Sequence, residues 1–173
     1  METKKSIFIS GISGLGKSHF ARENPSLAVD CEHLPFKYKL GGDETELENI
    51  KGLRQRDINP NYPKNYFDFI DSVDGKFPIL LTTGDEIIEY LRAKNEKLHY
   101  FVPCADDLEA IIARLKSRGN SEDFIRDFRA NYLDWLKIDY SGNVIKHELK
   151  KGEFIGDAIL RENLLNSFKN HLT

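Results

Sequence analysis

A chain of 173 residues suits one domain, long enough to bury roughly 70% of the surface its unfolded form exposes. Hydrophobic residues make up 40% and charged residues 31%, with both signs mixed, the composition of an ordinary soluble globular protein. The formal net charge of −3 argues against a nonspecific nucleic-acid binder, which would carry a basic excess. No apolar run approaches the ~20 residues needed to cross a bilayer, so no membrane partner is expected. The start, Met1 to Lys5, runs into a short strand-like segment and lacks a signal peptide's cleavage region. Cys31 and Cys104 are too few for a disulfide framework and read as reduced thiols. A cytoplasmic location is the expectation.

In chain order, Ser6 to Ser10 is a β-rich apolar run that leads straight into a glycine-rich loop. A helix starts near Lys17 and must stop before Pro25, which limits it to about two turns. Ser26 to Asp30 reads as a second strand. Residues 31–66 are the least regular part, with a polar stretch from Asp43 to Asp57 expected to be helical. Pro63 opens a helix whose core face uses Tyr66, Phe67, Ile70 and Val73. Phe77 to Thr83 has the continuous apolar character of a buried parallel strand. Asp85 and Glu86 then sit in the first turn of a helix, where the helix dipole favours acids.

His99 to Val102 is a fourth strand, and Asp106 to Ser117 a helix with Leu108, Ile111, Ile112 and Leu115 on one face. Ser121 caps a longer helix with a stripe of Phe124, Ile125, Phe128, Tyr132, Trp135 and Leu136. Tyr132 and Trp135 read as core. Val144 and Ile145 form a weak fifth strand, and a final helix from about Phe154 packs through Ile155, Ala158, Ile159, Leu165 and Phe168. Strands alternating with helices predict an α/β protein with a parallel sheet between helical layers. Nothing in residues 1–173 suggests an internal repeat or a linker to a second domain.

The loop Gly11-Ile12-Ser13-Gly14-Leu15-Gly16-Lys17-Ser18 is a Walker A pattern between a strand and a helix, as its mechanism demands. Backbone N–H groups of Ser13, Gly14, Leu15 and Gly16 can turn around phosphate oxygens, helped by the helix N-terminus. Lys17 reaches the β- and γ-phosphates, Ser18 takes a place on Mg²⁺, and His19 follows on the loop's flank. MgATP is therefore the expected cofactor. His33, His99 and His147 are scattered along the chain and suggest no metal cluster.

With this loop and layout the chain resembles small P-loop kinases of the nucleoside monophosphate, shikimate and gluconate kinase type. It is also similar to compact bacterial and phage proteins carrying nucleotide-kinase or ATPase labels. The resemblance implies a three-layer P-loop fold with a five-stranded sheet of order 2-3-1-4-5. It also implies an acceptor-binding insertion, here about 31–66, and a closing lid, here about 114–121.

Asp30, at the end of the second strand, is the candidate acid for Mg²⁺ or the acceptor, with Glu32 as its understudy; the plainer role is capping a strand end. No acid directly follows the third strand's apolar run, so Thr82, Thr83 or Asp85 must serve there if anything does. Arg114 and Arg118 are similar to the lid arginines that neutralise a phosphoryl group in flight. Lys37, Lys39, Arg54 and Arg56, with Phe36 and Tyr38, offer an anionic, ring-bearing acceptor a grip. The expected function is ATP-dependent phosphoryl transfer to a small acceptor, foremost a (deoxy)nucleoside monophosphate. A regulatory or assembly ATPase is the alternative, and a nucleic-acid 5′-end kinase a weaker one. The sequence leaves ATP against GTP, the acceptor and the oligomeric state open.

Overall fold

The computed structural model describes residues 5–39, 57–137 and 142–169. Five parallel strands form one sheet: β1 (Ile7–Gly11), β2 (Ala28–Cys31), β3 (Ile79–Thr82), β4 (Leu98–Val102) and β5 (Val144–Glu148). Their order is β2-β3-β1-β4-β5, as the resemblance implied. The helices are α1 (Lys17–Glu23), α2 (Leu34–Lys37), α3 (Lys64–Val73), α4 (Glu86–Ala93), α5 (Leu108–Ser117), α6 (Glu122–Lys137), α7 (Ile155–Arg161) and α8 (Leu164–Lys169).

Side-chain alternation along the strands splits the core in two. Ile9, Leu81 and Phe101 face α1, α5, α6 and the C-terminal helices, while Phe8, Leu80 and Tyr100 face α3 and α4. Helices cover both faces of the sheet, and its inner strand β3 is buried along its whole length, whereas the edge strand β5 is mostly exposed. Among the described residues no helix is long and apolar enough to cross a membrane.

Most boundaries fall close to expectation. Ser121 caps α6 through its hydroxyl, which accepts the Phe124 N–H at 3.2 Å. The final helix instead breaks into α7 and α8 at Asn163, whose φ of 59° is incompatible with a continuous helix. The expected helix over 43–57 falls almost entirely outside the described residues, as does the Phe168 side chain. One displacement bears on function. Leu27 and Ala28 both donate backbone N–H groups to the Asn24 carbonyl at 3.0 Å, so a turn uses the residues expected to begin β2. The strand therefore ends at Cys31 rather than at Asp30, and Glu32 is the acid that follows it.

Tyr66 of α3 ties the ends of β2 and β3 together. Its buried hydroxyl donates to the Cys31 carbonyl at 2.8 Å and accepts the Thr83 N–H at 3.3 Å. Burial pushes this phenol's pKa upward, so it stays protonated and able to donate. Tyr66→Phe should cost about 1–2 kcal/mol, because a buried N–H and carbonyl each lose a partner. Urea denaturation of the two proteins checks this. Equal midpoints would show that the clamp contributes nothing.

Candidate functional site

The loop from Gly11 to Ser18 joins β1 to α1 and folds back over its own lysine. Gly14 has φ 86°, and a Cβ there would lie 2.8 Å from Ile111 Cγ2, so α5 rests directly on the loop. Gly16, with φ 90°, is the residue before α1; a Cβ there would press to 3.2 Å from the Phe154 ring. The next residue along also holds the loop: the Ile155 N–H donates to the Leu15 carbonyl at 3.0 Å. Leu15 itself is buried in the core. The loop is thus braced by α5 on one side and by the start of α7 on the other.

Lys17 donates from Nζ to the carbonyls of Gly11 (2.5 Å) and Ile12 (2.9 Å). Only 8% of the residue is exposed. Burial pushes its pKa down to about 8, opposed by the negative charges of Glu32 and Asp30 and reinforced by Arg118. A desolvated ammonium hydrogen-bonded to carbonyl dipoles is suited to an incoming anion.

A cavity of about 460 Å³ opens over the loop, within the size range of small-ligand sites. Its floor is the loop from Gly11 to Ser18 together with Ser10 and Tyr100. One wall is Glu32, His33, Leu34, Thr83, Gly84 and Asp85; the other is Leu115, Arg118, Asn120, Phe124, Phe128 and Trp135. The first wall carries a fixed carboxylate. Oε1 of Glu32 accepts from the Thr83 hydroxyl at 3.1 Å and the Leu34 N–H at 3.3 Å, and His33 Nδ1 lies 3.1 Å away. Burial alone would raise this carboxyl; the His33 and Thr83 side chains, the Leu34 N–H and the charge of His33 outweigh it and hold the group near 2. Among the described residues no donor engages Oε2, and the side chain is 37% exposed.

The expected site residues divide cleanly. Lys17, Ser18 and the loop glycines share the cavity with Arg118. Asp30 stays on β2, half-buried and paired in register with Leu81; it acts on Lys17 through its charge but does not line the cavity. Arg114 does not line it either. Its guanidinium stacks over Phe154 at 4.7 Å, with Nε buried and lacking an acceptor among the described residues. His19 is exposed and pairs with Arg22 at 3.2 Å. Thr82 is fully buried and donates to the Ile9 carbonyl at 3.2 Å, a sheet contact rather than a metal position.

Of the residues expected to grip an acceptor, the described ones do not line the cavity. Phe36 stacks on Phe69 at 4.9 Å, Lys37 pairs with Glu86 at 3.6 Å, and Tyr38 bridges to Ile58. Lys39 is exposed, and Arg54 and Arg56 lie outside the described residues. Sequence reasoning passed over His33, Asn120 and the aromatic wall. Phe128 and Trp135, seven apart on α6, carried the one usable signal, since that spacing puts them on a single helix face. Nor are the histidines all scattered. His99 Nδ1 and His147 Nε2 meet at 2.8 Å across β4 and β5, away from the cavity. Sequence distance hid a contact that parallel pairing makes local.

Among the described residues no three His, Cys, Asp or Glu side chains converge as a metal cage. The chemistry present suits Mg²⁺ brought with phosphates, which asks of the protein only one hydroxyl and one or two carboxylates. Ser18 and Glu32 line the same cavity and fit that role. No protein-family model matches the chain, and a search of the curated proteins finds no match.

Proposed function

We propose that the protein is an ATP-dependent phosphotransferase that moves the γ-phosphoryl group of MgATP to a small acceptor. One observation carries this reading: a glycine loop closed around a desolvated Lys17 opens onto a cavity shared with Arg118 and an ionised Glu32. Phosphoryl transfer needs little covalent chemistry from a protein. It needs positioning and positive charge around the group in flight, with an acceptor held in line.

In this reading the loop amides and Lys17 hold the triphosphate, and Ser18 with Glu32 would hold the metal. Mg²⁺ held there would supply positive charge to the transferring phosphoryl group. Arg118, on the opposite wall from Glu32, supplies the second cation. Water must be kept from the phosphoryl group, and the apolar wall of α6 is suited to excluding it.

The test has two steps. A thermal-shift titration should show stabilisation by MgATP, about 2.7 kcal/mol at a hundred times the dissociation constant. Coupled ADP formation is then followed with (deoxy)nucleoside monophosphates, the acceptors expected from sequence, and with nucleosides, small polyols and a 5′-hydroxyl oligonucleotide. Stimulation by a small acceptor is the expected result. Binding without turnover on any of them would replace this reading with a regulatory or assembly ATPase. No stabilisation by any nucleoside triphosphate would remove both.

A further inference from the structure

We propose that Asp107 is a positioning residue for the phosphate loop, which it holds in its binding shape through the Gly152 amide; this rests on the nucleotide-binding part of the reading above. Asp107 ends a short 3₁₀ turn (Ala105–Asp107) and stands at the N-cap position of α5. An aspartate there ordinarily turns its carboxylate onto the free N–H groups of its own helix. This one makes no such cap bond. Its Oδ2 instead accepts the Gly152 N–H at 2.8 Å, on a distant segment of the chain. The residue is only 6% exposed, so water competes little for that contact.

Gly152 lies in the loop between β5 and α7, whose far end braces the phosphate loop. Its φ is 74°, although a Cβ there would meet nothing within 4 Å, so glycine is favoured by backbone shape and not by crowding. The loop is stiffened within itself. The Lys150 N–H donates to Glu153 Oε2 at 2.7 Å, and the Glu153 N–H to the Lys150 carbonyl at 2.9 Å. Glu153 leads directly to Phe154, whose ring lies against Gly16, and to Ile155, whose N–H holds the Leu15 carbonyl. The turn that carries Asp107 is fixed as well: the Tyr132 hydroxyl donates to the Cys104 carbonyl at 2.7 Å, and so does the Asp107 N–H at 3.0 Å.

This route matters because of how backbone amides bind an anion. They bind best when already turned toward it, and a loop that must be ordered on binding loses affinity by the cost of ordering. From α5, Arg114 stacks on Phe154 while Asp107 holds Gly152, so one helix grips the brace twice. The Asp107 contact is the directional one, a hydrogen bond to an ionised acceptor. Without it the brace is left to the Arg114 stack, and part of the ordering of Leu15 and Gly16 moves into the binding step.

Binding of a non-hydrolysable ATP analogue with Mg²⁺ is measured by calorimetry for wild type, Asp107→Ala and Asp107→Asn, with melting temperatures alongside. Asp107→Ala should bind the analogue about tenfold more weakly, a share of one charge-assisted hydrogen bond. Asp107→Asn keeps an oxygen that can accept the Gly152 N–H and should recover affinity to within a few-fold of wild type. A folded Asp107→Ala protein that melts lower yet binds with wild-type affinity would overturn the proposal, since Asp107 would then serve the fold alone. So would an Asp107→Asn protein as weak as Asp107→Ala, because charge and not the bond to Gly152 would then be acting.

Amide exchange in the wild type gives an answer that holds even where Asp107→Ala fails to fold. Saturating analogue should slow exchange at Gly152 and Ile155 as well as at residues 13–16. Protection confined to residues 13–16 would sever the route and overturn the proposal. If the analogue does not stabilise the wild type in a thermal shift, the parent reading falls first, before any variant is compared.

Discussion

Lys17→Ala should weaken MgATP binding about a thousandfold at pH 7 while leaving the fold intact. Truncating one partner of a buried, hydrogen-bonded charge pair typically costs about 2–5 kcal/mol, and the γ-phosphate of this complex has few other cations to turn to. The unliganded protein should tolerate the change. Among the described residues its ammonium hydrogen-bonds to the Gly11 and Ile12 carbonyls, and the fall of its pKa from 10.5 to about 8 is a cost of keeping it charged.

The sign follows from linkage. A lysine whose folded pKa is depressed contributes stability that is present above pH 10.5 and lost as pH falls toward 8. At pH 7 the full cost of roughly 3 kcal/mol is in place, and removing the group relieves part of it. A bound triphosphate would reverse the balance by raising the Lys17 pKa again. Wild-type protein should therefore take up about one proton on binding ATP at pH 9 and almost none at pH 6.5. Calorimetry in two buffers of different ionisation enthalpy measures the difference. An uptake that does not change with pH, or that survives in Lys17→Arg, would detach Lys17 from the phosphates.

The parts of this molecule that were legible in the sequence are those with a short physical reach. The glycine loop announces itself because its backbone geometry forbids side chains at fixed spacings, as Gly14 and Gly16 show. Strand order followed from a parallel pattern and from the resemblance the loop permits, since buried strands such as Ile79–Thr82 carry no alternation that ranks them.

What failed to be legible depended on register. Asp30 and Glu32 are two residues apart, and which of them reaches the cavity turns on where β2 ends. That in turn depends on a two-hydrogen-bond turn at Asn24, which local propensity does not reveal. The aromatic wall was hidden for a different reason. Phe128 is 2% exposed and belongs to the core by every pattern rule; it reaches the cavity as well because α6 passes above the glycine loop. Periodicity identifies a buried face but cannot say whether its far edge meets protein or ligand.

Arg118→Ala should lower kcat about a thousandfold with little change in KM for ATP, whereas Arg114→Ala should chiefly affect the loop. The two arginines are one helical turn apart and were expected to act together as a lid, yet their surroundings separate them. Arg118 follows the last residue of α5 and lines the cavity opposite Glu32. A guanidinium placed there meets charge that is greatest in the transition state, and such arginines are worth about 10³–10⁵ in kcat. Its loss should appear in kcat and kcat/KM alike.

Arg114 stacks on Phe154, and the Phe154 ring lies against Gly16. Burial pulls the Arg114 pKa down, the charge of Asp107 pulls it up, and Arg118 adds to the fall. Removing that side chain frees Phe154 and loosens one brace of the loop, so its effect should fall on ATP affinity and on thermal stability. Arg114→Lys separates stacking from charge, because an ammonium cannot reproduce the flat guanidinium face. It should repeat the affinity loss of Arg114→Ala while leaving kcat within a few-fold of wild type. Steady-state kinetics of the three variants, with ATP varied at saturating acceptor, decides the matter. If Arg114→Ala and Arg118→Ala lose kcat equally and neither shifts the melting temperature, both arginines act on the phosphoryl group and the division drawn from Phe154 is wrong.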